Sequence, residues 1–133
     1  MGLDMYLYRK KRKSHYATNE DYKTADDVQL IYWRKANHIH RWFTQGVEED
    51  NCTPIPVTEK DILDLIDVCM DVLQDKDDVE VAKEVLPTVS GFFWGGTDYD
   101  EWYYQDVRDT IQGLSEVLAD IEPNDEMYYY AWY

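Results

Sequence analysis

Ile62, Leu65, Ile66, Cys69, Val72 and Leu73 recur at the spacing of one helical face, and Asp61, Asp64, Asp67 and Asp71 fill the opposite one. Such a segment folds as a helix lying on an apolar partner, with its charged side in water. Thr58 stands at the N-cap position, and Asp61 three residues on makes an imperfect capping box, so the helix is predicted over residues 59–74. A second apolar series, Tyr103, Val107, Ile111, Leu114, Leu118 and Ile121, predicts a long helix from near residues 98–100 to about 121. Its other side carries Asp106, Asp109, Glu116 and Asp120, with Gly113 at the missing beat, and Pro123-Asn124 closes it.

The remaining pattern is mixed. Residues 3–8 alternate and are rich in β-formers, which predicts a strand ending in the basic run Arg9 to Lys13; a polar surface loop follows to about residue 24. Leu30, Trp33, Asn37, His40 or Arg41, and Thr44 form one row at helical spacing, which predicts a helix over residues 26–44 with Gly46 as its stop. Pro54 and Pro56 make 53–57 an extended connector or edge strand. A short helix is expected over 78–85, a strand or hairpin arm over 88–94, a turn at Gly95-Gly96, and a terminal strand over 127–133 that finishes its own sheet. Together these give a single acidic α+β domain over residues 1–133, with three or four helices on a small antiparallel sheet.

Charge limits what such a domain can bind. Residues 46–133 hold 23 of the 28 carboxylates against Lys60, Lys76, Lys83 and Arg108, a formal −19, while residues 1–45 come to +4 and the whole chain to −15. A field of that sign repels nucleic acid and anionic membranes and attracts basic surfaces. Two cysteines imply no disulfide framework and a reducing, intracellular compartment, with Cys69 in the core and Cys52 exposed. The N-terminus carries no apolar targeting core, and no stretch approaches the roughly 20 apolar residues of a membrane helix.

Three constellations could carry function. Like charges at the spacing of Asp61, Asp64, Asp67 and Asp71, and of Asp106, Asp109, Glu116 and Asp120, cost a few tenths of a kcal/mol per pair. They read either as solvated faces or as a mimic of a phosphate backbone. The segment Trp33, Arg34, Asn37, His38, His40, Arg41 and Trp42 interleaves cations, imidazoles and indoles that could hold a nucleotide-like ligand; otherwise its tryptophans are core. Asp98, Asp100 and Glu101 could supply acid–base chemistry beside that cluster, although no nucleophile is evident. HExxH, CxxC and GxxxxGK[ST] patterns are all absent, so no metal or other cofactor is expected.

Three blocks, Met1-Gly-Leu-Asp-Met-Tyr-Leu-Tyr8, Tyr32-Trp-Arg-Lys-Ala-Asn-His-Ile-His40 and Gly91-Phe-Phe-Trp-Gly-Gly-Thr-Asp-Tyr-Asp-Glu-Trp-Tyr-Tyr104, resemble a family of small phage- and prophage-encoded proteins of unassigned function. The likeness spans nearly the whole chain. The family brings no established activity, fold or catalytic residues. It implies an accessory product of a virus or mobile element acting in the cytoplasm of a bacterial host cell. By association, such proteins often antagonise host defence.

The resulting expectation is a non-enzymatic protein, monomeric or weakly dimeric, that inhibits a basic, nucleic-acid-binding host protein through its acidic helices. It would bind neither nucleic acid directly nor a membrane. The alternatives are a nucleotide-sequestering protein using the Trp33 to Trp42 segment and a small hydrolase.

Overall fold

The structure, a computed structural model, describes residues 2–133; Met1, the first residue of the resemblance, lies outside them. Four strands, β1 (Asp4–Arg9), β2 (Val28–Arg34), β3 (Ile55–Val57) and β4 (Met127–Trp132), form an antiparallel sheet in the order β2-β1-β4-β3. Five α-helices accompany it: α1 (Asn19–Thr24), α2 (Asn37–Phe43), α3 (Glu59–Gln74), α4 (Val79–Val85) and α5 (Glu101–Asp120). The fold is α+β, with more helices than the sequence pattern suggested, because the loop after β1 contains α1. Thr18 caps that helix by accepting a hydrogen bond from Asp21 N.

Pleating sorts the sheet's side chains. Met5, Leu7, Trp33, Met127, Tyr129 and Ala131 are buried in the core with Ile62, Leu65, Cys69 and Val72 of α3 and Val107, Leu114 and Val117 of α5. Tyr6, Tyr8, Tyr32 and Tyr128 occupy the alternate positions and pack ring against ring at 5.3–5.5 Å between centroids, Tyr6 on Tyr8 and Tyr8 on Tyr128 stacked and Tyr6 on Tyr32 tilted. β4 lies between β1 and β3, so the aromatic tail completes its own sheet. The Thr58–Asp61 capping box is present in full, and α3 has the boundaries its periodicity predicts. Cys69 is buried and Cys52 exposed.

Two expectations are corrected. Residues 26–44 are not one helix: 28–34 form edge strand β2, Lys35 turns the chain at φ +56°, and only Asn37–Phe43 is helical. The Val, Ile, Tyr and Trp of this segment pair with β1, and the helical row read across it arose by coincidence of spacing. Residues 88–94 form no strand. Phe93 has φ +59°, and backbone groups there bond to side chains: Val89 N to Asn37 Oδ1 at 3.0 Å and Thr88 N to the Tyr99 hydroxyl at 3.1 Å.

The basic run folds back on the acidic half. Arg12 donates from Nε and Nη2 to both oxygens of Asp125 and lies near Glu122, while Lys10 pairs with Glu126. The guanidinium holds the Asp125 carboxyl down at about 2. Lys11 Nζ bonds the Ala25 carbonyl at 2.9 Å and lies over the Tyr22 ring, fixing the α1 loop.

Sheet and helices are locked where the Trp33 indole donates to Thr110 Oγ1 at 2.9 Å, both side chains being buried. Thr110→Val keeps the shape and leaves the indole N–H unpartnered. It should lower unfolding free energy by about 1–3 kcal/mol in urea titrations. An unchanged midpoint would show that the contact contributes nothing.

Candidate functional site

The turn at Lys35 decides where the next residues go. α2 starts immediately after it, and Asn37, buried, clamps the irregular segment that leads into α5. Its Nδ2 donates to the carbonyls of Trp94 and Gly96 at 3.1 and 2.9 Å. Gly95, at φ +90°, sits so close to the turn that a Cβ would lie 2.8 Å from the Lys35 carbonyl oxygen. Asp100 then caps α5 by accepting from Tyr103 N at 3.1 Å. These contacts frame a cleft of about 520 Å³ between α2, the 95–100 segment and the first turns of α5.

Asp98, Asp100, Asp106 and Asp109 line the cleft, with Arg34 and Lys35 at its β2 side and Trp102, 81% exposed, on α5. Among the described residues none of these four carboxylates forms an ion pair. Burial, with repulsion from Asp109 and Asp100, pushes the Asp106 carboxyl up to about 6. His38 also lines the cleft, only 3% exposed, its ring 4.3 Å from that of Tyr103. Burial pulls the imidazole down to about 4, so it is neutral at physiological pH. Its Nε2 is fully buried, and a backbone hydrogen bond with Tyr103 opposes part of that shift. A concave acidic wall of this kind attracts cations.

The seven residues of the Trp33 to Trp42 segment do not share one surface. Arg34, Asn37 and His38 reach the cleft, Trp33 is core, and Arg41 is exposed. Trp42 lines a separate groove with Asp61, Asp64, Ile55 and Val57. His40 points into the interior, where Nδ1 meets the Tyr129 hydroxyl at 2.6 Å and Nε2 lies 3.3 Å from Asp50. Burial lowers its pKa despite that carboxylate, and the Tyr133 hydroxyl donates to the same Asp50. This chain of groups ties α2 to the end of β4.

The two acidic rails flank opposite edges of the sheet. Asp61 and Asp64 lie beside β3, whereas Asp106 and Asp109 lie beside the end of β2. Asp61 is committed to its capping box and Asp64 pairs with Lys60 at 2.7 Å. Asp67, Asp71, Glu116 and Asp120 are exposed and, among the described residues, carry no ion pair. Glu101 is engaged by Lys76 and Arg108, outside the cleft. Among the described residues no group of three His, Cys, Asp or Glu could share a metal ion. Trp102 and Lys35 were not singled out from sequence as cleft residues. The signal for Trp102 was its position between Asp98, Asp100, Asp106 and Asp109, whereas the turn at Lys35 left none.

No protein-family model, curated protein or solved structure matches the chain.

Asp106 carries a stability consequence. Its folded pKa is raised from 3.8 to about 6, so the folded state holds a proton that the unfolded chain has already lost between those values. Stability from this group therefore falls as pH rises through that window, and the full penalty persists above it. Asp106→Asn should stabilise the protein near pH 7 by about 1–2 kcal/mol, after allowance for partial exposure, and by little near pH 4. Thermal melts of both proteins across that range check the sign.

Proposed function

We propose that this is an interaction protein, of the accessory type that the phage and prophage resemblance implies, which binds and inhibits a basic, nucleic-acid-binding host protein. The observation that carries the reading is the uncompensated acidic edge along α5. Among the described residues Asp98, Asp100, Asp106, Asp109, Glu116 and Asp120 make no ion pair, although Arg108 stands among them and pairs instead with Glu101. Their mutual repulsion works against folding and would be relieved by a partner's lysines and arginines. The α3 rail is a secondary surface, since Asp61 and Asp64 already have partners. Acidic groups spaced along a helix can occupy the positions that phosphates take in a basic groove.

A nucleotide-holding reading has less support. Of the residues it needs, Trp33 is buried and Trp42 lies in another groove, leaving Arg34 and Lys35 to face four carboxylates. The hydrolase reading has an acid and an imidazole in one cleft but no nucleophile beside them.

Affinity capture by the tagged protein from bacterial lysate tests the proposal. The captured protein should be basic, should elute at about 0.5 M salt, and should be displaced by duplex DNA. Asp109→Lys, Glu116→Lys and Asp120→Lys together should reduce capture at least about tenfold with circular dichroism unchanged, and Asp67→Lys with Asp71→Lys should reduce it less. Equal capture by wild type and the α5 variant would sink the reading.

A further inference from the structure

We propose that the outer edge of β2 is a docking site for an extended segment of the basic partner, which adds a fifth strand to the sheet. The inference rests on the partner-binding reading and adds to it the mode of contact and the kind of segment that fits.

The two edges of the sheet are unlike. β3 is three residues long, with Pro56 inside it and Pro54 just before it, and proline has no N–H to offer a neighbouring strand. β2 is seven residues long, holds no proline, and is rich in Val, Leu, Ile, Tyr and Trp. Among the described residues no main-chain group outside β1 bonds to the main chain of residues 28–34.

Ladder alternation shows which groups are free. Lys35 N bonds the Leu3 carbonyl, and each step along an antiparallel pair reverses the direction of the main-chain groups. Met5 and Leu7 therefore hold Trp33 and Ile31, whereas the N–H and C=O of Tyr32 and Arg34 point away from the sheet. A bulge follows, where Tyr8 pairs with Gln29 and Leu30 is passed over. It limits regular pairing to residues 31–34 and keeps the edge from templating a long flat strand.

An open edge accepts strands of any charge, and what flanks it decides among them. α5 passes so close to β2 that a Cβ on Gly113 would lie 3.0 Å from Ile31 Cδ1. Asp106 and Asp109 stand beside the end of β2 and, among the described residues, form no ion pair. Alternate side chains of an added strand fall on the α5 side of the sheet, where lysines or arginines meet these carboxylates. The intervening ones fall beside Tyr32, which is exposed, and Tyr6 packed against it, rings that suit β-branched or aromatic neighbours. Arg34 and Lys35 oppose cations at that end, and Asp98 and Asp100 offset them. A second copy of the chain fits worse, because pairing β2 with β2 would bring two acidic α5 edges together.

The test is NMR of the ¹⁵N-labelled full chain with the peptide acetyl-Lys-Val-Lys-Val-Lys-Val-amide. The dissociation constant should be on the order of 1 mM. Near saturation the Tyr32 and Arg34 amides should exchange with water at least about threefold more slowly, while those of Ile31 and Trp33, already bonded to β1, should not change. The diastereomer with D-valines keeps the charge and composition but cannot lie as a regular strand, and it should bind at least about fivefold more weakly. The peptide with Glu in place of Lys should not bind, and Asp106→Asn with Asp109→Asn should weaken the Lys peptide at least about threefold. Tyr32→Pro removes an N–H that the fold does not use, at an edge position that tolerates proline, and should abolish the protection of Arg34. The comparison of peptides on the wild type does not depend on that variant folding.

Unchanged exchange at Tyr32 and Arg34, equal binding of the diastereomer or of the acidic peptide, or protection that grows with protein concentration alone would overturn the edge site. The two proposals fail separately. Salt-sensitive, DNA-displaceable capture of a basic protein, undiminished in Tyr32→Pro and without peptide protection of the edge, removes the site and leaves the partner reading. Peptide protection of the edge without any captured basic protein does the reverse.

Discussion

Lys35 holds a left-handed backbone at φ +56°, a conformation that costs a non-glycine residue on the order of 1 kcal/mol. Much of the rest depends on it. The turn ends β2 with Trp33 still in the sheet and its indole bonded to Thr110, then starts α2 in a new direction. Consequently Asn37 reaches the 89–96 segment, His38 the cleft, and His40 the interior beside Tyr129. The surroundings hold the turn in place: Lys35 N bonds the Leu3 carbonyl at 2.8 Å, and Gly95 packs against the Lys35 carbonyl without a side chain. Two segments 60 residues apart thus fit only because one accepts a strained angle and the other lacks a Cβ.

Charge is distributed according to a similar division. Where the chain needs closure, opposite charges meet: Arg12 clasps Asp125, and Lys10 meets Glu126 at the turn into β4. Where α5 borders the end of β2, carboxylates accumulate without ion pairs among the described residues, and one of them is buried enough to hold its proton to about pH 6. Folding alone would favour a lysine or an asparagine there. Gly113 interrupts the same rail at a close approach, since a Cβ at that position would lie 3.0 Å from Ile31 Cδ1 and that side chain would have to give way.

The parts of the fold with one strong local signal were legible in the sequence. α3 combined a cap with an unbroken apolar stripe, and β4 was densely aromatic. The segment from Val28 to Phe43 was not legible, because both a strand and a helix could use its apolar residues and the break between them falls on a lysine. Residues 88–94 misled for the opposite reason. Their β-branched and aromatic content suits a strand, yet the backbone groups are satisfied by Asn37 and Tyr99, contacts that no local pattern announces. Of the candidate site, the acidic residues were evident from composition, but the convergence of Asp98 and Asp106 with His38 required knowing that α2 and α5 share a cleft.

That convergence changes how the two rails should be weighed. As helical patterns they are equivalent, each a row of carboxylates opposite an apolar stripe. In the folded chain Asp61 serves as a helix cap, Asp64 pairs with a lysine one turn away, and their groove borders Trp42 and β3. On α5, by contrast, the carboxylates at the N-terminal end face a concave surface, while Glu116 and Asp120 continue the charge into open solvent. A flat charged face attracts any basic protein and discriminates poorly among them. Discrimination needs a place where one side chain is desolvated and its hydrogen bonds are completed, since a wrong partner then leaves buried groups unpaired. Among the described residues the α5 edge is where carboxylates without ion pairs border a concavity, whereas those beside the α3 groove already have partners.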